Sequence, residues 1–168
     1  MKLMVIDVDG TLTDGKIIYD ENGNEMKEFS VRDAAGFFAA KAAGIKTMVL
    51  TGRECKATKR RLDELNVDYI FQNVKDKPSF LRRFCKEHAL EKGDLGYIGD
   101  DLNDLEAMGM CGFVACPSDA CAEVKEIANY VSDIKGGNGA VRNVIEHYLR
   151  EKELWSNLVA EIYKSSGL

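Results

Sequence analysis

The sequence predicts an α/β fold: a doubly wound, Rossmann-like parallel sheet with helices on both faces, a β-hairpin flap after the first strand, and no cap domain. Three observations predict it. Short apolar runs recur along the chain, each followed by polar or glycine residues and then a helical pattern. The runs are continuously apolar rather than alternating, as strands covered on both faces are. Four of them end in polar groups, and in a doubly wound sheet such ends converge.

In chain order the strand candidates are Leu3-Met4-Val5-Ile6, Lys46-Thr47-Met48-Val49-Leu50, Tyr69-Ile70-Phe71, Leu95-Gly96-Tyr97-Ile98, Gly112-Phe113-Val114-Ala115 and Tyr130-Val131. Helical spacing falls between them at about 33–44, 54–65, 77–90, 102–109, 119–128 and 139–151. Pro78 suits the first turn of its helix, where no amide donor is needed. Residues 16–29 break the rhythm: Asn22-Gly23 sits between β-forming flanks and predicts a hairpin whose two central residues take positive φ. Residues 152–168 read as one more amphipathic helix ending in a frayed Ser165-Ser166-Gly167-Leu168. With no linker or repeat, the 168 residues form a single domain.

Composition narrows the function classes. A formal net charge of -5 argues against a general nucleic-acid binder. No apolar run approaches the ~20 residues that span a bilayer, so no membrane role is expected. An Asp by position 7 leaves no room for an export signal, which makes the cytoplasm the expected compartment. The five cysteines, Cys55, Cys85, Cys111, Cys116 and Cys121, are irregularly spaced and read as free thiols.

The polar groups at the strand ends carry the chemistry. Asp7 and Asp9 close an apolar strand, where two carboxylates repel and lose hydration unless a cation offsets them. Magnesium is suited to this: a hard ion that takes one or two carboxylates together with phosphate oxygen and water. An ionised Asp7 in line with phosphorus can attack it as a nucleophile. Asp9 can protonate the departing oxygen and later deprotonate water. Gly10 lets the backbone turn closely around a phosphate, and Thr11 offers a further donor. Thr51 and Gly52, after the second strand, can cradle phosphoryl oxygens, and Lys77 can neutralise the transferring group. In Gly99-Asp100-Asp101-Leu102-Asn103-Asp104, Asp100 is the direct metal-ligand candidate. Asp101 and Asp104 act outside it, Asp104 by reaching a metal-bound water or by orienting the site, and Asn103 faces the substrate.

Taken together, DxDGT, Thr-Gly, a later Lys and GDDxND resemble the haloacid dehalogenase superfamily of aspartate-nucleophile phosphatases. The resemblance covers about residues 2–150. It implies Asp7 as nucleophile and Asp9 as acid/base. It further implies magnesium held by Asp7, Asp100 and the Asp9 main-chain carbonyl, with Thr51 and Lys77 on the phosphoryl group. About forty residues lie between Asp9 and Thr51 and about twenty-five between Thr51 and Lys77, too few for a cap.

Details resemble one capless branch, the phosphatases of 2-keto-3-deoxy sugar acids. They are Asp9 to Gly15, the hairpin, Arg32-Asp33-Ala34-Ala35-Gly36, Leu50-Thr51-Gly52-Arg53 and Gly136-Gly137-Asn138-Gly139-Ala140-Val141-Arg142. That resemblance implies 3-deoxy-D-manno-octulosonate 8-phosphate as substrate, and a homotetramer whose adjacent subunits cover the active site. Nine-carbon 9-phosphates, or a domain associated with an acylneuraminate cytidylyltransferase, are the alternatives. A guanidinium recognises a carboxylate bidentately, so Arg53 is the foremost candidate for the substrate carboxylate. Arg61 is a candidate toward a neighbour's site; Arg32 with Asp33, and Arg142, follow. Outside phosphatases, a phospho-acceptor domain or a non-catalytic assembly domain would fit the same fold.

Overall fold

The computed structural model describes residues 1–164; the expectation for residues 165–168 lies outside them. Six strands form one parallel sheet: β1 (Leu3–Ile6), β4 (Lys46–Leu50), β5 (Tyr69–Phe71), β6 (Leu95–Ile98), β7 (Phe113–Cys116) and β8 (Tyr130–Val131). Their order is β5-β4-β1-β6-β7-β8, every neighbouring pair parallel. The chain winds outward from β1 to β5, then returns to β6 on the other side of β1. That reversal opens the sheet's carboxyl edge at β1, where ligands bind in folds of this kind.

Successive residues of one strand serve opposite cores, because strand side chains alternate. Met4 and Ile6 join a cluster with Phe37, Leu62, Val144 and Trp155, whereas Leu3 and Val5 join Leu81, Phe84, Met108 and Val124. The first face is covered by α1 (Asp33–Ala42), α2 (Lys56–Glu64), α6 (Ala140–Glu151) and α7 (Trp155–Lys164). The second is covered by α3 (Lys77–Glu87), α4 (Leu105–Met108) and α5 (Ala122–Ile127). A short 3-10 turn, Leu102–Asp104, leads into α4 and accounts for the single helix expected there. No cap interrupts the connections.

The hairpin is present, but its turn differs from the two-residue Asn-Gly turn the sequence predicts. Its strands are β2 (Ile18–Tyr19) and β3 (Glu25–Met26), antiparallel and two residues each. Between them Gly23 has φ +78, while Asn22 is not at positive φ. The Asp20 carboxylate explains this. It accepts from the amides of Asn22 (2.9 Å) and Asn24 (2.8 Å) and from the Asn24 side chain (2.7 Å), folding the loop around itself.

Glycines set the closest packing. A Cβ on Gly36 of α1 would meet the Arg142 Cα of α6 at 2.8 Å. These are the two expected motifs Arg32–Gly36 and Gly136–Arg142, and they meet each other.

Candidate active site

The loops after β1, β4 and β6 enclose a crevice of about 430 Å³. Asp7, Asp9, Gly10, Thr51, Gly52, Arg53, Asp100, Asp101 and Asn103 line it, all expected from the sequence. Asp14, Gly15 and Asp119 line it too, without having been singled out.

The floor is built on the sheet. The Asp7 amide extends the β1 ladder by donating to the Ile98 carbonyl (2.9 Å), fixing Asp7 at the strand end. The residue is 4% exposed. Lys77 opens α3, with Pro78 behind it and the Asp76 carboxylate capping the helix through the Ser79 amide. The Lys77 ammonium donates to Asp7 Oδ1 (2.8 Å) and Asp104 Oδ1 (2.7 Å), and is itself buried. Burial pulls this ammonium's pKa down, but the two carboxylates outweigh it and leave it above the usual lysine value.

Three carboxylates, Asp7, Asp100 and Asp104, offer oxygens within 4.8 Å of one another. One lysine cannot balance them. Burial, with Asp104 beside it, pushes Asp7 up to about 7 against the pull of Lys77. Asp100 also rises to about 7, chiefly through burial. Carboxyl groups held this high lack counter-charge, and a divalent cation on oxygen ligands supplies it. The donor set therefore fits magnesium, with Asp7 and Asp100 able to hold it.

Of the two roles expected of Asp104, its contacts favour orienting the site over reaching a metal-bound water. Its Oδ1 accepts from Lys77 and from Tyr97 Oη (2.8 Å), and its Oδ2 faces the amides of Asp100 (3.2 Å) and Asp101 (3.5 Å). Both oxygens are committed, so it braces the lysine and the Asp100 loop. Thr11 is also spent: its hydroxyl donates to Asp100 Oδ1 (2.8 Å) rather than facing a phosphate. Thr51 Oγ1 accepts from the Arg53 amide (3.3 Å), which leaves its own proton to donate.

Glycines let the loops close. A Cβ on Gly10 (φ +93) would strike the Asp100 carboxylate. A Cβ on Gly136 would strike the Gly10 carbonyl, and one on Gly137 would lie 2.6 Å from the Asp14 amide. The late glycine motif is thus a shelf beneath the nucleophile loop. Asp119 holds that shelf, accepting from the Gly136 amide (2.9 Å).

The hairpin supplies the flap and the residues that sequence reasoning missed. Lys27 ion-pairs with Asp9 and, at 2.8 Å, with Glu25. Glu25 also takes Arg53 bidentately, through Nε (3.3 Å) and Nη2 (2.7 Å), and Tyr19 Oη accepts from Nη2 (3.2 Å). The Arg53 hydrogen bonds hold the Glu25 carboxyl down at about 2. The available signal was strand alternation, since residues 25 and 27 share a face of the hairpin.

Four expected substrate contacts, Arg32, Asp33, Arg61 and Arg142, do not line this crevice. Asp33 is buried and accepts from the Arg142 amide (3.0 Å), tying α1 to the first turn of α6 across 109 positions. Arg32 lines a separate cavity with Arg142 and Glu146. Arg61 reaches the Ser30 carbonyl (3.3 Å) and Glu64 (3.3 Å). The Arg-Asp motif serves helix packing, which is why its carboxylate is unavailable to a ligand.

Residues 69–145 match the model of the haloacid dehalogenase-like hydrolase family. The chain is 34% identical over 146 residues to the 3-deoxy-D-manno-octulosonate 8-phosphate phosphatase KdsC of Escherichia coli (strain K12), covering 87% of this chain and 78% of that protein. It is 35% identical over 150 residues to KdsC of Haemophilus influenzae, covering 89% and 83%. Among solved structures, the octulosonate 8-phosphate phosphatase of Moraxella catarrhalis, in complex with magnesium, phosphate and a KDO molecule, superposes with a TM-score of 0.91 at 38% identity, covering 96% of this chain and 93% of that one. The cobalt-bound Haemophilus influenzae enzyme gives 0.87 at 34% identity, covering 93% and 91%.

Proposed function

This chain belongs to the haloacid dehalogenase-like hydrolases, and on that premise we propose that it hydrolyses 3-deoxy-D-manno-octulosonate 8-phosphate through a phospho-aspartate on Asp7. It is a magnesium-dependent phosphatase. The observation that carries the mechanism is the Lys77 ammonium bridging Asp7 and Asp104, with Asp100 alongside.

Asp7, Asp100 and the Asp9 main-chain carbonyl would hold magnesium, which would supply charge neutralisation at the phosphoryl oxygens. Lys77 occupies Asp7 Oδ1, which leaves the other oxygen to attack. The Asp7 oxygen–phosphorus bond forms as the ester bond breaks, and Asp9 gives its proton to the departing sugar oxygen. Water then attacks phosphorus, Asp9 takes its proton, and inorganic phosphate leaves with Asp7 restored. Thr51 donates to a phosphoryl oxygen in both steps, and Arg53 receives the substrate carboxylate.

Exposed apolar residues on the hairpin and just after it support a homotetramer in which adjacent subunits cover the crevice. Ile17, Ile18, Tyr19, Met26 and Val31 are 45–79% exposed, an apolar surface that a neighbour would bury. Sedimentation equilibrium tests it, and a monomer at micromolar concentration overturns it. No described helix is long and apolar enough to cross a membrane. All five cysteines are free thiols, which supports the reducing cytoplasm as the compartment.

The deciding experiment is a screen of the purified protein with magnesium against octulosonate 8-phosphate, nine-carbon keto acid 9-phosphates and hexose phosphates. The eight-carbon substrate is expected to have the highest kcat/KM. An equal value for hexose phosphates overturns the substrate assignment.

A further inference from the structure

The hairpin carries a lysine with an unusual setting. Its neighbours Met26 and Glu28 are exposed, yet the Lys27 side chain is 1% exposed. Lysine is almost never fully buried unless paired, and here the partners are Asp9 Oδ1 and Glu25 Oε1. Asp9 lines the crevice, and Lys27 meets it from outside that lining.

The arrangement repeats the one around Asp7. In each case a buried ammonium takes Oδ1 of a strand-end carboxylate and is itself fixed by a second carboxylate. At Asp7 the second carboxylate is Asp104, and at Asp9 it is Glu25. Glu25 is held in turn by the bidentate Arg53, so Lys27 is anchored to both the hairpin and the loop after β4.

We infer that Lys27 is a positioning residue for Asp9: its ammonium, anchored by Glu25, fixes Oδ1 and turns Oδ2 toward the departing ester oxygen. This rests on the reading of Asp9 as the acid/base of the proposed mechanism. A general acid misplaced by an ångström loses most of its effect, which can exceed 10²-fold. The loss falls on substrates that need a proton on the leaving oxygen and spares those that do not.

The test compares kcat/KM for phenyl phosphate and p-nitrophenyl phosphate, esters of similar shape whose leaving groups differ in their need for that proton. Measurements are made on the full chain with magnesium, and far-UV circular dichroism reports the fold. Lys27→Met is expected to lower kcat/KM about 10-fold more on phenyl than on p-nitrophenyl phosphate. Lys27→Arg, which keeps the charge, is expected to recover most of that gap. Should Lys27→Met fail to fold, Lys27→Gln takes its place. Equal losses on both esters, or no loss, overturn the inference, because a merely structural lysine would not discriminate between leaving groups. Asp9→Asn is the control. If it discriminates and Lys27→Met does not, only the role of Lys27 fails; if Asp9→Asn does not discriminate, the acid/base assignment itself falls.

Discussion

At the floor of the crevice a lysine from α3 holds Asp7, while at its flap a lysine from the hairpin holds Asp9, and the surroundings differ. The floor stands on the middle of a six-stranded sheet. Asp7, Lys77 and Asp104 are 4%, 2% and 0% exposed, so each charge there depends on its neighbours for want of water. The flap rests on two strands of two residues each, and its Arg53–Glu25 pair is 38% and 13% exposed. Partners at the floor should therefore be indispensable, whereas flap contacts should modulate. In the proposed mechanism the nucleophile sits where the sheet enforces geometry, whereas recognition and the hold on Asp9 sit where a short hairpin can vary.

The comparison breaks first at Asp7. Asp7→Asn removes the proposed nucleophile and is expected to lower kcat at least about 10⁴-fold; activity within tenfold of the parent would contradict the covalent route. Next, Lys77→Met leaves two buried carboxylates without their cation. Denaturant titration in the presence of a chelator is expected to show a loss of about 3–5 kcal/mol, and a loss below 1 kcal/mol would place the floor on the same footing as the flap. At the flap, Arg53→Ala is expected to cost about 2–3 kcal/mol in kcat/KM for a keto acid phosphate. The cost for p-nitrophenyl phosphate, which has no carboxylate, should be much smaller; similar costs would remove Arg53 from recognition.

The smallest effect concerns Asp33, buried between α1 and α6 with Oδ2 lacking a hydrogen-bond partner. Burial raises its carboxyl to about 6. Its folded pKa lies above its unfolded one near 4, so between them the folded state holds a proton that the unfolded chain has released. Stability is then lost as pH rises through roughly 4 to 6. Asp33→Asn is expected to flatten this slope by on the order of 1–2 kcal/mol; parallel pH curves for parent and variant would show that Asp33 keeps an ordinary pKa.

The strands were legible because burial on both sheet faces leaves uninterrupted apolar runs, and β1, β4, β5, β6 and β8 have the expected bounds. The floor was legible for a related reason: parallel topology alone places residues 7, 51 and 100 at one edge. The hairpin was legible too, from Asn22-Gly23, but its contacts were not, because nothing in the spacing of Glu25 and Lys27 says that it folds back over Asp9. Nor could sequence separate a ligand-binding Arg-Asp pair from one that ties two helices together, since both need a charged residue near a helix start. Asp33 met the α6 amide and Thr11 met Asp100, each satisfying a group already in the chain.

The shelf under Gly10 has a consequence for biosynthesis. Asp7 is synthesised well over a hundred residues before Gly136 and Gly137, the backbone on which its loop rests. A nascent chain, or a fragment cut short of that point, would hold all four chemical groups of the floor and still lack the support that sets their spacing. Under the proposed mechanism, a working crevice is expected to wait on two glycines far downstream of the aspartate they support.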